Sequence, residues 1–406
     1  MFTHGQGLRL FQDDGQEYLD AVSGTFNLPL GYNYSEVVES IIDQVQKVTH
    51  LSSSFSAPYA HLVLEQLLNL APPGIDSGWL RDVTGSSANE CAVKITQKYT
   101  QGTDVISLFM SHHGQTQFTT AISGNSFRRK GFPDTVSPHS VRVPPPYCHR
   151  CFYGAKYPDC NLLCVERIND FIEYSSSGSV ASIIVEPILG NGGNIVPPKG
   201  YFPALRKLCD EHSILLIADE VQTGLGRTGY FFGSEALEVE PDLITLAKGL
   251  GGIGMPIGAV LMKSSLNILE QWQHSFTSGS NMLALAAASA TIKVIKDSTF
   301  LENVRHKSKL LEILLWKLQE KHDCVSEVRG LGFMWGVEIS DPEGKPDVEM
   351  TKKIIRNSME SHQLIVRSSR YGYGNVLKVR PALIATEEDL EELTVRLSRA
   401  ITEVEL

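Results

Sequence analysis

The sequence has no uninterrupted apolar run long enough to cross a bilayer, and "MFTHGQGLRL" is not a charged-then-apolar leader. A membrane-embedded or exported product is therefore not the expectation; a cytosolic one is. Positive charge is also short. Thirty-six Lys and Arg against 46 Asp and Glu leave a formal net charge of −10, which disfavours nucleic acid or an anionic membrane as the main partner. Seven cysteines, an odd number thinly spread over 406 residues, argue against a secreted disulfide scaffold. There is no internal repeat and no low-complexity tail. What remains is a chain long enough for two or three packed units, for which a small molecule is the default partner.

The apolar pattern predicts an α/β fold. "LRLFQDDGQEYLDAVSG" reads as two strands around a turn at Asp14 and Gly15, and "SEVVESIIDQVQKV" and "AHLVLEQLLNLA" have helical spacing. The short runs "DVISLFM", "ASIIVEP", "ILLIAD" and "PIGAVLMK" then alternate with helical stretches such as "NECAVKITQKYT" and "YFPALRKLCDEH". That alternation predicts a largely parallel sheet. Beyond it, "LALAAASATIKVIKD", "ENVRHKSKLLEILLWKLQEKH" and "VEMTKKIIRNSMESH" predict long helices flanking a strand-like "GLGFMWGVEIS". The expected division is 1–35 and 296–406 in a small α+β domain built from both termini, with 36–295 forming the large domain.

Two signals compete within "LLIADEVQTGLGRTGYFFGSEALEVEPDLITLAKGLGG". Gly224, Gly226 and Gly229 spell G-x-G-x-x-G, but a dinucleotide fingerprint needs its first glycine directly after the strand and a helix opening at its last. Here "EVQT" intervenes and "YFFGSEALEVEPD" follows. The charged residues make the stronger case. Asp219 ends a buried strand, where a carboxylate is costly unless it meets a cation, and ligands of open α/β sheets sit beyond such strand ends. Lys248 lies in a glycine-rich turn able to reach the same crevice. An Asp against a pyridinium nitrogen and a lysine that forms a Schiff base are what pyridoxal 5'-phosphate requires.

The block "IADEVQTGLGRTG…PDLITLAKGLGGIGMPIGAVL" resembles the signature of class III, ω-aminotransferase-type enzymes of fold type I, and the likeness runs from "DDGQEYLDAVSG" to "RPALIATEEDL". The resemblance implies an aminotransferase that moves an amino group from a primary amine or ω-amino acid to a 2-oxo acid or aldehyde. It implies that Asp219 pairs with the pyridinium nitrogen, Lys248 carries the cofactor and the proton transfers, Val221 packs on one ring face, and Gln222 approaches the ring hydroxyl. "VTGSSANECAVK" resembles the phosphate cup, nominating Gly85 and Ser86; taken alone, the segment reads as an ordinary helix cap. "SHHGQT" resembles an aromatic-His-Gly motif in which His112 takes the stacking place. "SFTSGSNMLALAAA" nominates Thr277 as reaching the phosphate of a neighbouring subunit, which implies a homodimer at least.

The pattern also departs from the family. Where many members read E-P-x-x-G-E-G-G, this chain keeps Glu186, nominated by the resemblance as a cofactor contact, but has Asn191 at the second acid, and Lys378 stands where an arginine grips the substrate carboxylate. Arg380 is two residues on, on the same face of an extended segment. Lysine lacks arginine's bidentate fork, so Asn191, Lys378 and Arg380 are candidates for substrate contact without naming a substrate. The "LK-V-RP" ending also resembles relatives that eliminate phosphate from phosphorylated amines, which keeps a phospholyase, or an epimerase on the same scaffold, as the alternative activity. Ser87 replaces a common glutamate in the cup. Finally, Cys148, Cys151, Cys160 and Cys164 have the spacing C-x2-C-x8-C-x3-C, which suits a structural zinc, free thiols or a disulfide. No catalytic metal is expected.

Overall fold

The computed structural model describes residues 1–52, 55, 57–131, 140–279, 281–370 and 372–405. Its centre is a seven-stranded sheet of β1 (Ser77–Asp82), β2 (Asp104–Leu108), β3 (Ser140–Val143), β4 (Val180–Val185), β5 (Leu215–Asp219), β6 (Leu243–Leu246) and β7 (Gly258–Met262), in the order β1-β7-β6-β5-β4-β2-β3. From β6 to β3 all neighbours are parallel, and β7 is antiparallel to both β6 and β1.

The inner strands read as continuous apolar runs because both faces are covered. Alternate residues point to opposite sides. Ile106, Ile183, Leu216 and Ile244 enter one core, while Val105, Ile184, Ile217 and Leu243 enter another beneath helix α1 (Gly85–Thr100). Ala88 and Ala92 let α1 lie close to the sheet, and helix α2 (Tyr201–Glu211) crosses from β4 to β5 on the other face. Helix α3 (Met282–Ile295) buries an alanine-rich face against Ser35–Val45 and Pro58–Leu68.

A further core joins the two ends of the chain. Leu8, Leu19 and Ala21 pack with Val304, Leu311 and Leu315 of helix α4 (Ser298–Lys321), and with Phe333, Val337, Leu377 and Leu393. Leu364–Ile365 closes the N-terminal sheet by pairing in parallel with Glu17–Asp20. "GLGFMWGVEIS" is not one strand. It holds the turn of a hairpin, Val325–Leu331 with Met334–Ile339, and Gly332 at φ +60° makes the reversal. The strands β1 and β3, "SGWLRD" and "SVRV", had no apolar run to betray them because they lie at the sheet edges.

The glycine triplet joins these cores instead of cradling a dinucleotide. A Cβ on Gly226 would meet Leu383 at 2.9 Å and Ile295 at 3.0 Å. Between them, Arg227 is buried and donates to Pro381 O (2.5 Å) and Ser23 Oγ (3.1 Å), while its own carbonyl accepts from Phe333 N (2.9 Å). No helix among the described residues is long and apolar enough to cross a membrane.

Candidate active site

The carboxyl ends of four neighbouring parallel strands meet at one crevice, where α/β sheets place their ligands. β5 ends in Asp219, β6 is followed by Ala247 and Lys248, β4 runs into Glu186, and the loop after β2 carries His112 and His113. A cavity of about 380 Å3 opens there, walled by Asp219, Lys248, His112, His113, Asn89, Val221, Thr84, Gly85 and Ser86, with Met255, Pro256 and Ile257 at its apolar side.

Asp219 is buried and held as an anion. Its Oδ2 accepts from Asn89 Nδ2 and His113 Nδ1, both at 2.8 Å, and Oδ1 accepts from the Val221 amide at 3.1 Å. Burial alone would raise its pKa, but His113, Lys248 and Asn89 outweigh that and hold it below the usual carboxylate range. Asn89 is itself fixed by Thr245 Oγ1 at 2.7 Å. The second acid of the pair, Glu220, is structural: it accepts from the Gly233 and Ser234 amides at 2.7 Å, capping the short helix Gly233–Ala236.

Lys248 opens a tight 3-10 turn at φ +44°, and it lines the same cavity as Asp219. Burial brings its pKa down to about 8 against the opposing pull of Asp219 and Glu186. The imidazole of His112 is pushed down to about 3, first by burial and then by Lys248, so its ring is neutral at any working pH. Glu186 fixes that loop, accepting from the amides of His112 (2.8 Å) and Gly190 (2.9 Å).

The first turn of α1 supplies an anion cradle. Thr84 caps it, accepting from Ser87 N at 3.2 Å, while Ser87 Oγ accepts from Thr84 N at 3.2 Å. Ser87 thus closes a capping box with its hydroxyl, and the absent glutamate is not missed. First-turn amides have no intrahelical acceptor, and Gly85 and Ser86 lie in the cavity wall. Gly85 has to be glycine, because a Cβ would come 2.9 Å from Val221 Cγ1. At Gly114, with φ +150°, a Cβ would come 2.6 Å from Ser86 Oγ.

A buried anion beside a buried amine, an apolar wall and a helix N-terminus within one cavity fit pyridoxal phosphate by the chemistry of the donors. The structure brings Gly85, Ser86, His112, Asp219, Val221 and Lys248 together around it. Asn89 and His113 were not singled out from sequence; the demand of a buried strand-end Asp for donors, set beside "SHHG" and "SSANE", was the signal.

Other predicted residues lie outside this cavity wall, Glu186 among them. Gln222 is buried with Oε1 accepting from Arg380 at 2.5 Å, so its side chain is spent behind the wall. Arg380 also donates to Gly190 O (2.7 Å) and to Asn194 Oδ1, and Lys378 Nζ donates to Asn191 Oδ1 at 3.1 Å. Thr277 is exposed on its own chain. Cys148, Cys151, Cys160 and Cys164 carry free thiols around one small pocket with Tyr153, Tyr157 and Pro198. Among the described residues, the groups of three potential ligands converging within 4.8 Å are Asp82, Cys91 and His274, and His149, Glu327 and Glu338. The cysteine quartet is not among those groups.

The profile of the family described as Aminotransferase class-III matches residues 1–401. An acetylornithine aminotransferase of Methanopyrus kandleri is 34% identical over 98% of this chain and 93% of its own length. A leucine/methionine racemase of Thermococcus litoralis is 33% identical over 98% of this chain and 89% of its own. Among solved structures, the ω-transaminase of Pseudomonas jessenii in complex with PMP superposes with a TM-score of 0.92 at 26% identity, covering 100% of this chain and 92% of that one.

Proposed function

This chain belongs to the aminotransferase class-III family, fold type I, and is a pyridoxal-phosphate-dependent aminotransferase, and from that premise we propose which of its own residues carry the reaction. It moves an amino group between a small-molecule primary amine or ω-amino acid and a 2-oxo acid or aldehyde. When bound, the cofactor supplies an electrophilic carbon to take the amino group and a protonated ring to accept electrons from the substrate's α-carbon.

Asp219 holds the proton on the ring nitrogen, and Asn89 and His113 keep its carboxylate charged and aimed. The observation that carries this reading is that buried, doubly anchored carboxylate facing Lys248 across one cavity. The Gly85 and Ser86 amides, with the positive end of α1, take the phosphate. Val221 and the neutral His112 ring, both in the cavity wall, would pack against a bound cofactor. Lys248 would hold the cofactor and, with a pKa near 8 that leaves part of it neutral at pH 7, would serve as the base for the α-proton. Glu186 acts at one remove by holding the His112 loop. Gln222 acts likewise through Arg380, and Lys378, Asn191 and Arg380 form the substrate side.

We further propose a cytoplasmic homodimer in which Thr277 reaches the phosphate of the partner's site. Its exposure supports that, as do Trp272, 80% exposed, and Phe276 nearby, which are apolar surface for a second copy to cover. The racemase relatives favour a second reading, inversion of an amino acid's α-carbon by the same residues. One experiment separates the two. Holoenzyme given an amine or amino-acid donor without acceptor should convert its cofactor stoichiometrically to pyridoxamine phosphate. A D-enantiomer accumulating from an L-amino acid with the cofactor unchanged would instead establish racemisation.

A further inference from the structure

The segment 270–279 carries Thr277 and is mostly exposed, Trp272 and Phe276 included. So little apolar burial does not hold a segment in one shape. Its two buried residues, His274 and Gly279, flank Thr277. His274 Nε2 lies 2.8 Å from Oδ1 of Asp82, which is buried as well. On the other side of the ring, Lys94 Nζ lies 3.3 Å from Nδ1. An ammonium can only donate, so Nδ1 accepts and the ring hydrogen sits on Nε2, directed at the carboxylate. Cys91 lies within 4.8 Å of the pair, but this tautomer offers Asp82 a donor and leaves Nε2 no lone pair for a metal.

Gly279 packs on the same spot. A Cβ there would come 2.2 Å from Arg81 O, and its amide donates to Phe276 O at 3.0 Å. Thr277 and Ser278 therefore form the tip of a turn whose flanks both rest on Arg81 and Asp82. Lys98, one helical turn from Lys94 on α1, steadies the approach by donating to Ile268 O (2.6 Å) and Gln273 Oε1 (2.8 Å). Asp82 ends β1 and is followed by Val83 and the cap residue Thr84, so the base of the Thr277 turn and the entry to the phosphate cup are one piece of backbone.

We propose that His274, held by Asp82, is a positioning residue that sets the Thr277 hydroxyl for the phosphate in the partner's site. This rests on the reading of Thr277 as reaching across a dimer. A hydroxyl serves a phosphate only within a few tenths of an ångström of the right place. A buried polar pair is costly to break, so it fixes the turn where apolar burial does not. The same contact ties the cup of one site to the residue that serves the other.

The test compares, on the full-length protein, the affinity for pyridoxal phosphate with that for pyridoxal, which lacks the phosphate, by equilibrium dialysis. His274→Leu should weaken pyridoxal phosphate roughly 10-fold and leave pyridoxal unchanged, while His274→Gln, which keeps a donor for Asp82, should stay within about 2-fold of wild type. Asp82→Asn, a milder change that leaves a neutral acceptor, should shift pyridoxal phosphate alone by about 3-fold. In a Thr277→Ala background, His274→Leu should add no further loss. Equal losses for both ligands, or a His274 effect that persists without Thr277, overturn the proposal. So does an unchanged affinity in His274→Leu when Thr277→Ala weakens pyridoxal phosphate, and the reading of Thr277 then stands. If Thr277→Ala itself changes nothing, that reading fails and the proposal with it. Mixing His274→Leu with Lys248→Ala subunits adds the direction of the effect. About a quarter of wild-type activity should return, because half the dimers are hybrids with one complete site; no recovery would confine the effect to the variant's own cup and overturn the proposal.

Discussion

An amine that attacks a carbonyl has to be neutral, and Lys248 stands where burial favours that form. An exposed lysine near 10.4 is neutral about once in a thousand molecules at pH 7.5. With its pKa brought down to about 8, roughly a quarter of Lys248 is neutral at that pH. Covalent loading of cofactor-free protein with pyridoxal phosphate should therefore rise only about 4-fold from pH 7.5 to a plateau above 9. Stopped-flow absorbance of apoenzyme, normalised to a simple alkylamine in the same buffers to cancel the cofactor's own titrations, measures it. Asp219→Asn removes a charge that holds the Lys248 pKa up, so the inflection should move to lower pH. Stability must follow. Because the folded pKa lies below the unfolded one, the penalty for burying the ammonium is fully present below pH 8 and fades as pH rises from 8 toward 10.4. Lys248→Met apoprotein should then be more stable at pH 7, by up to about 3 kcal/mol, with no gain above pH 10.5. A normalised loading rate still climbing at pH 10 would refute the reasoning.

Other consequences are open to simple assays. Asn89→Ala and His113→Phe each strip a hydrogen bond from the buried Asp219, worth about 1.5 to 3 kcal/mol, so equilibrium dialysis should show cofactor affinity falling roughly 10- to 100-fold. Mixing Lys248→Ala with Thr277→Ala subunits should restore about a quarter of wild-type activity if Thr277 acts across a dimer, since half the dimers are hybrids with one complete site; no recovery would place Thr277 elsewhere. At Gly332, φ +60°, a Cβ would come 2.4 Å from Arg227 O, and Gly332→Ala should lower the thermal midpoint by several degrees through the joint between the cores.

The chemistry was legible because it rests on residue types at fixed offsets along the chain. Asp219 at the end of an unbroken apolar strand, Lys248 in a glycine turn 29 residues later, and Gly85 and Ser86 at a helix start are all local patterns. The buried strands were legible for the same reason, since a strand covered on both faces must be apolar throughout. Edge strands β1 and β3, half polar, were not, and the antiparallel sense of β7 is invisible because its residues look the same in either direction. Ser87 could not be understood until the capping box was seen.

What tertiary structure alone decided is which groups meet across long separations. Asn89 and His113 reach Asp219 from 130 and 106 residues away, and Gln222 turns from the cavity toward Arg380, 158 residues on. Local pattern states what each residue is able to do. Whether a buried charge finds its partner depends on contacts that exist only once the sheet has formed and both termini have closed against it.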